Sequence, residues 1–191
     1  MVIPAFAAVL ALADVLAPGK PAPPLSADRF VKGEPRTSLE PGVVHVIEFW
    51  ATWCGPCVRG IPHLSELQRA NPDVRVVGIA GCERGGSPEE QEARVRSFVE
   101  GKGDAISYAV AFDGDGSMFR GWMEAARART IPCAFVVGKD GAVAYVGPPD
   151  AGLDRAVAKA KAAAAPAVAS PKPETPVPPG PPSAAPVPPP G

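Results

Sequence analysis

Val43-Val44-His45-Val46-Ile47-Glu48-Phe49-Trp50-Ala51-Thr52-Trp53-Cys54-Gly55-Pro56-Cys57 decides the reading of this 191-residue chain. Val43 to Trp50 is rich in β-branched and aromatic residues and reads as a buried strand. After the cysteines, Val58, Ile61, Leu64 and Leu67 recur at helical spacing through Ala70, with Pro62 inside the segment. The cysteine pair therefore falls at a strand-to-helix turn, with Cys54 at the helix N-terminus. Unpaired backbone N–H groups and the helix dipole favour a thiolate there, and a thiolate is the species that attacks a disulfide. Two cysteines two residues apart can also close on each other reversibly.

Working outward, Asn71-Pro72-Asp73 is a stop-and-turn signal, and Val74 to Ala80 is a second apolar strand. Strand, helix and strand within this length imply a parallel βαβ unit with a right-handed crossover. Ser87-Pro88-Glu89-Glu90 combines an N-cap, a first-turn proline and a capping box. Val95, Phe98 and Val99 form the buried face of the helix that follows, which Gly101 is expected to end. Ile106 to Phe112 reads as a strand. Asp113-Gly114-Asp115-Gly116 is a loop without the ligand spacing or terminal Glu of a calcium site, and Ser117 to Arg127 is a short helix. Ala134 to Val137 and Ala142 to Val146 are strands joined by Gly138-Lys139-Asp140-Gly141, a hairpin signal. A last helix spans about Ala151 to Ala165, with Asp150 as its expected N-cap and Leu153, Ala156, Val157 and Ala160 inward. Lys20 to Pro41, with Pro21, Pro23, Pro24 and Pro35, is expected to be loop lying over the edge of the core. The order predicts an α/β fold with a central mixed sheet and helices on both faces.

The flanks differ in character. Residues 1–17 are a secretory signal or an N-terminal hydrophobic segment. The apolar run is too short to span a bilayer, and Ala11-Leu12-Ala13 resembles a cleavage site, although no Lys or Arg precedes Lys20. Twelve of the 26 prolines fall between Pro166 and Pro190, among few large apolar residues. That segment, 166–191, reads as a disordered Pro/Ala-rich tail of polyproline-II character acting as a spacer, the alternative being a docking segment for a partner or the cell envelope. Residues 18–165 are left as the folding domain. A net charge of −1 argues against nucleic acid. Export would place the chain in the periplasm or outside the cell, where a disulfide persists; the alternative is the cytoplasm.

Phe49 to Cys57 resembles the active-site signature of the thioredoxin superfamily. Lys20-Pro21-Ala22-Pro23, Trp122 to Ala126, Thr130 to Val137, Lys139-Asp140-Gly141 and Gly147 are similar to its TlpA-like, redoxin-type branch. The resemblance covers Lys20 to Ala165 and implies a thioredoxin fold and a thiol–disulfide oxidoreductase of protein-disulfide-reductase type. It makes Cys54 the nucleophile, its sulfur exposed, and Cys57 the more buried resolving cysteine. Glu48 becomes a buried proton acceptor for Cys57; the alternative reading turns it to solvent. Trp53, Gly55, Pro56, Ile131 and Pro132 become the substrate-facing residues, with Pro132 in a cis peptide bond and the Ile131 backbone open to an extended substrate. Trp53 has a core reading as well. No organic cofactor or metal is implied. The implied partners are disulfide-containing proteins and an upstream dithiol donor, with the chain a monomer.

Some positions depart from the branch. Gly60 stands where several TlpA-like reductases carry a Glu, which points away from a specialised apocytochrome role. Cys133 directly follows Pro132 and is either a buried inert thiol or a third redox-active one. A Cys82–Cys133 bridge would have to cross an intervening strand, which exceeds disulfide reach unless the loops bend together. A peroxiredoxin-type antioxidant enzyme would need Thr and Pro where Ala51 and Ile47 stand. A zinc module would need more than one clustered ligand pair, and a copper module a C-x-x-x-C with a suitably placed His; His45 and His63 read as core or surface residues.

Overall fold

A computed structural model describes residues 15–27 and 29–164. The 166–191 tail, and the leading segment as far as residue 14, lie outside the described residues.

Six strands form one sheet: β1 (Arg29–Lys32), β2 (Val44–Trp50), β3 (Val74–Ala80), β4 (Ala109–Phe112), β5 (Cys133–Val137) and β6 (Val143–Gly147). Their order is β1-β4-β3-β2-β5-β6. β2, β3 and β4 run parallel, whereas β1, β5 and β6 each pair antiparallel with a neighbour. Three helices accompany them: α1 (Gly55–Ala70), α2 (Pro88–Lys102) and α3 (Leu153–Ala162).

β2 lies between β3 and β5 and is buried along its whole length. A strand covered on both faces carries apolar residues on both, which is why no alternation shows in β2, although His45 and Glu48 interrupt the run. Val46 and Trp50 point to a core shared with Ile61 and Leu64 of α1, Val95 and Val99 of α2, and Leu153 and Val157 of α3. Ile47 and Phe49 point to the opposite core, closed by Trp122, Met118 and Leu25. The three α-helices thus all feed one face. The other face is covered by a π-helical turn, Phe119–Glu124, and by the extended segment around Leu16 and Leu25. The π turn stands where an ordinary helix from Ser117 to Arg127 was expected. Asp113 caps its approach, accepting hydrogen bonds from the backbone N–H groups of Met118 (3.1 Å) and Phe119 (2.8 Å).

Other boundaries shift for identifiable reasons. The Lys20–Pro41 region contains β1, which pairs with β4 at the sheet edge; four residues with one bulge carry too little pattern to show in sequence. The fourth strand starts at Ala109 instead of Ile106, because Gly103–Ala105 form a 3₁₀ turn first. The Ser87 capping box forms as expected, but α2 runs past Gly101 and ends at Gly103, whose φ is 51°. Asp150 does not cap α3. It sits in a 3₁₀ turn, Pro149–Ala151, and Gly152 occupies the cap position with no side-chain bond.

Candidate active site

Cys54 and Cys57 form a disulfide, with their Cα atoms 5.2 Å apart. Cys54 is the N-cap of α1, and Pro56 supplies the first-turn proline, whose missing N–H costs nothing there. The Cys57 N–H donates to the Cys54 sulfur at 3.2 Å. This donor and the helix N-terminus both favour negative charge on Cys54 once the disulfide opens. Cys54 is only 4% exposed and Cys57 3%, so the nucleophile candidate is less open than the sequence suggested. Access runs through two clefts that share Pro56. Cys54 lines one of about 680 Å³, and Cys57 lines another of about 550 Å³.

Glu48 lies at the base of the second cleft, 2% exposed. Its cross-strand neighbours are Gly78 and Ala134. Among the described residues it has no hydrogen-bond partner. Burial raises its carboxyl to about 8, since an unpaired charge in a low-dielectric site is costly. The solvent-facing alternative for Glu48 does not hold.

The loop that carries the cysteines is held from β3's C-terminal end. The Glu83 carboxylate accepts from the Thr52 N–H (2.6 Å) and the Thr52 hydroxyl (2.8 Å). The Trp53 indole donates to the Cys82 carbonyl at 2.9 Å, and the Arg84 guanidinium lies 3.7 Å from the Trp53 ring centroid. Trp53 is 44% exposed, which removes its core reading, whereas Trp50 is core. Glu83 and Arg84 were not foreseen. The signal for them was positional: they follow a strand parallel to β2, so they emerge at the same sheet edge as Cys54.

The Ile131–Pro132 peptide bond is cis. Ile131 lines the Cys54 cleft and Pro132 the Cys57 cleft, so the two bracket the disulfide. Cys133 is buried and shares a core with Phe49 and Phe135, on the face opposite the core that holds the disulfide. Burial pushes its thiol up to about 11, and that of half-buried Cys82 likewise to about 11. Both are free, and β2 separates their strands. His45 is a satisfied core residue: its Nε2 accepts from the Glu40 N–H at 3.1 Å, which leaves Nδ1–H to donate to the Val43 carbonyl. His63 pairs with Asp154 at 3.0 Å on the surface.

A family profile described as Redoxin matches residues 17–163. The chain belongs to the redoxin family. Among its relatives is protein FixW of Rhizobium leguminosarum, 30% identical over 71% of this redoxin and 62% of FixW. Another is sporulation thiol-disulfide oxidoreductase A of Bacillus subtilis, 24% identical over 63% of this redoxin and 70% of that protein. This redoxin thus spans a little under two thirds of FixW's length. A solved thiol:disulfide interchange protein of the thioredoxin family from Chlorobium tepidum TLS is 26% identical. It superposes with a TM-score of 0.56 over 76% of this redoxin and 97% of that chain. The domain has the thioredoxin fold, and Cys54 and Cys57 stand in it as a disulfide-bonded C-x-x-C pair. Among the described residues no helix is long and apolar enough to cross a membrane.

Proposed function

We propose that this redoxin is a protein disulfide reductase working by mixed-disulfide exchange. The observation that carries the reading is the Cys54–Cys57 disulfide capping α1 with the unpaired, buried Glu48 beside Cys57. In the reduced protein, the Cys54 thiolate attacks one sulfur of a substrate disulfide. A Cys54–substrate bond forms, and the other substrate sulfur leaves as a thiolate that takes a proton. Glu48 then accepts the Cys57 proton, and the Cys57 thiolate attacks the Cys54 sulfur. The second substrate cysteine leaves, and the Cys54–Cys57 disulfide forms. Two electrons have passed to the substrate, and a donor dithiol must return them. With a carboxyl near 8, Glu48 is able to take and give a proton around neutral pH.

Trp53, Gly55, Pro56, Ile131 and Pro132 form the substrate-facing rim in this reading. Cys133, buried on the other face, serves packing. The chain acts outside the cytosol, where reductant has to be delivered; the Ala11-Leu12-Ala13 cleavage pattern supports this, and N-terminal sequencing of the expressed protein checks it. The function is tested by the reduction potential of the Cys54/Cys57 pair against glutathione, followed by Trp fluorescence, with Cys54→Ser as control. A value near thioredoxin's, about −270 mV, is expected. A value near about −120 mV would reverse the direction, and no transition at all would end the oxidoreductase reading.

A further inference from the structure

The Cys54 cleft carries more positive charge than it neutralises. Arg84 and Arg129 stand on opposite sides of it, both exposed, one following β3 and the other preceding β5. Neither forms an ion pair among the described residues. The one carboxylate in the lining, Glu83, has an oxygen on the Thr52 N–H and the other on its hydroxyl. Asp113, the nearest acid behind Gly81, is turned to the backbone of Met118 and Phe119. Arg59, also without an ion pair, lines the adjoining cleft beyond Pro56. The rest of the cleft is lined by the exposed Trp53, Pro56 and Thr130 and the half-buried Phe119, with Met123 buried among them.

Arg84 is also pre-positioned. Its guanidinium carbon lies 3.7 Å from the Trp53 ring centroid, and its N–H groups have no hydrogen-bond acceptor among the described residues, so they are open to a carboxylate. Ile131 precedes β5 and lies beyond the last ladder pair, Phe49 with Cys133, so a chain laid along the cleft meets unladdered backbone. Guanidinium groups on either side of a reacting sulfur recognise carboxylates on either side of the substrate's sulfur.

We propose that Arg84 and Arg129 are specificity-determining residues, and that this redoxin selects extended protein segments whose disulfide-bonded cysteine is flanked by acidic residues. The proposal rests on the disulfide-reductase reading above and names its substrate class.

The test mixes the reduced full-length protein with disulfide dimers of three pentapeptides, carrying Asp, Asn or Lys on both sides of a central cysteine. Oxidation is followed by stopped-flow Trp fluorescence, and each rate is divided by that of dithiothreitol on the same peptide to remove intrinsic reactivity. We expect the normalised rate to fall in the order Asp, Asn, Lys, with about a fivefold span between Asp and Lys at low salt. The span shrinks as ionic strength rises. In the Arg84→Gln, Arg129→Gln double variant it falls below about twofold. The Arg129→Gln single variant, which leaves the Trp53 stack in place, gives an intermediate span. Arg155→Gln, an exposed charge on α3 outside the cleft, keeps the full span. Equal rates in the native protein, a preference for Lys, or a span unchanged by the double variant would overturn the proposal. Failure to react with any of the three peptides would instead overturn the reductase reading, and the substrate class with it.

Discussion

Glu83 shows how one side chain sets the geometry of a reactive loop. Its two oxygens hold Thr52 by backbone and hydroxyl, and the next residues on either side, Cys82 and Arg84, hold Trp53 by carbonyl and by ring stacking. Hydrogen bonds to a charged acceptor are the stronger kind, and Glu83 is half-buried. Glu83→Ala is therefore expected to cost about 1–2 kcal/mol in urea unfolding. It is also expected to shift the potential of the Cys54/Cys57 pair, because the loop before Cys54 loses its anchor; Glu83→Gln should restore part of both. Unchanged stability and potential would show that the contact is incidental. The contacts themselves were not legible in the sequence, although the parallel βαβ reading already placed residues 82–84 at the end of the sheet that bears Cys54. The cysteines, Glu48 and Pro132 announce themselves by residue type in a telling place, but a Glu next to a Gly-rich loop does not. Only the parallel register of β2 and β3, which sets Trp50 beside Ala80, brings Glu83 to Thr52.

At the scale of elements, a glycine in β3 makes room for two aromatic side chains. Gly78 in β3 faces Glu48 in register, and a Cβ placed there would meet Trp50 Nε1 and the Tyr108 ring, each at 3.1 Å. Gly78→Ala is expected to destabilise by about 1–3 kcal/mol, since the surrounding aromatic side chains must move to admit a methyl group. A calorimetric or urea measurement showing no loss would mean that the aromatic pair yields freely. The elements themselves were largely readable. β2, β3 and α1 were plain from apolar runs and periodicity, and α2's start was plain from its capping box. The elements missed were those whose form depends on partners. β1 is a strand only because β4 lies beside it, and the π turn over 119–124 widens a helix against Phe135 and the second core, where Trp122 packs. Local sequence holds little record of either.

For the molecule as a whole, burying Glu48 couples stability to pH. The folded carboxyl lies near 8 against an ordinary 4.5, so between those values the folded state holds a proton that the unfolded state has lost. Stability from this group is thus complete below about 4.5, declines as pH rises, and is lost above about 8. Glu48→Gln in the oxidised protein is expected to flatten that decline and to stabilise by roughly 3–5 kcal/mol above it. Urea unfolding of both proteins from pH 5 to 9 measures the difference, and parallel profiles would place Glu48 in contact with water. His45, held neutral by burial, acts in the opposite sense: its share is present above about 6.5 and falls away in acid, equally in both proteins. By itself the sequence determined the strand–turn–helix around Cys54 and Cys57, the βαβ unit and the presence of an acid in a buried strand, because residue type and short-range periodicity are local properties of the chain. The tertiary structure alone decided that Glu48 is unpaired, that Cys133 faces away from the disulfide, and that Glu83, Arg84 and Arg129 gather around Cys54. Those outcomes depend on which face of the sheet each side chain enters and on which loops meet at the sheet edge, and both are fixed only when distant strands come into register.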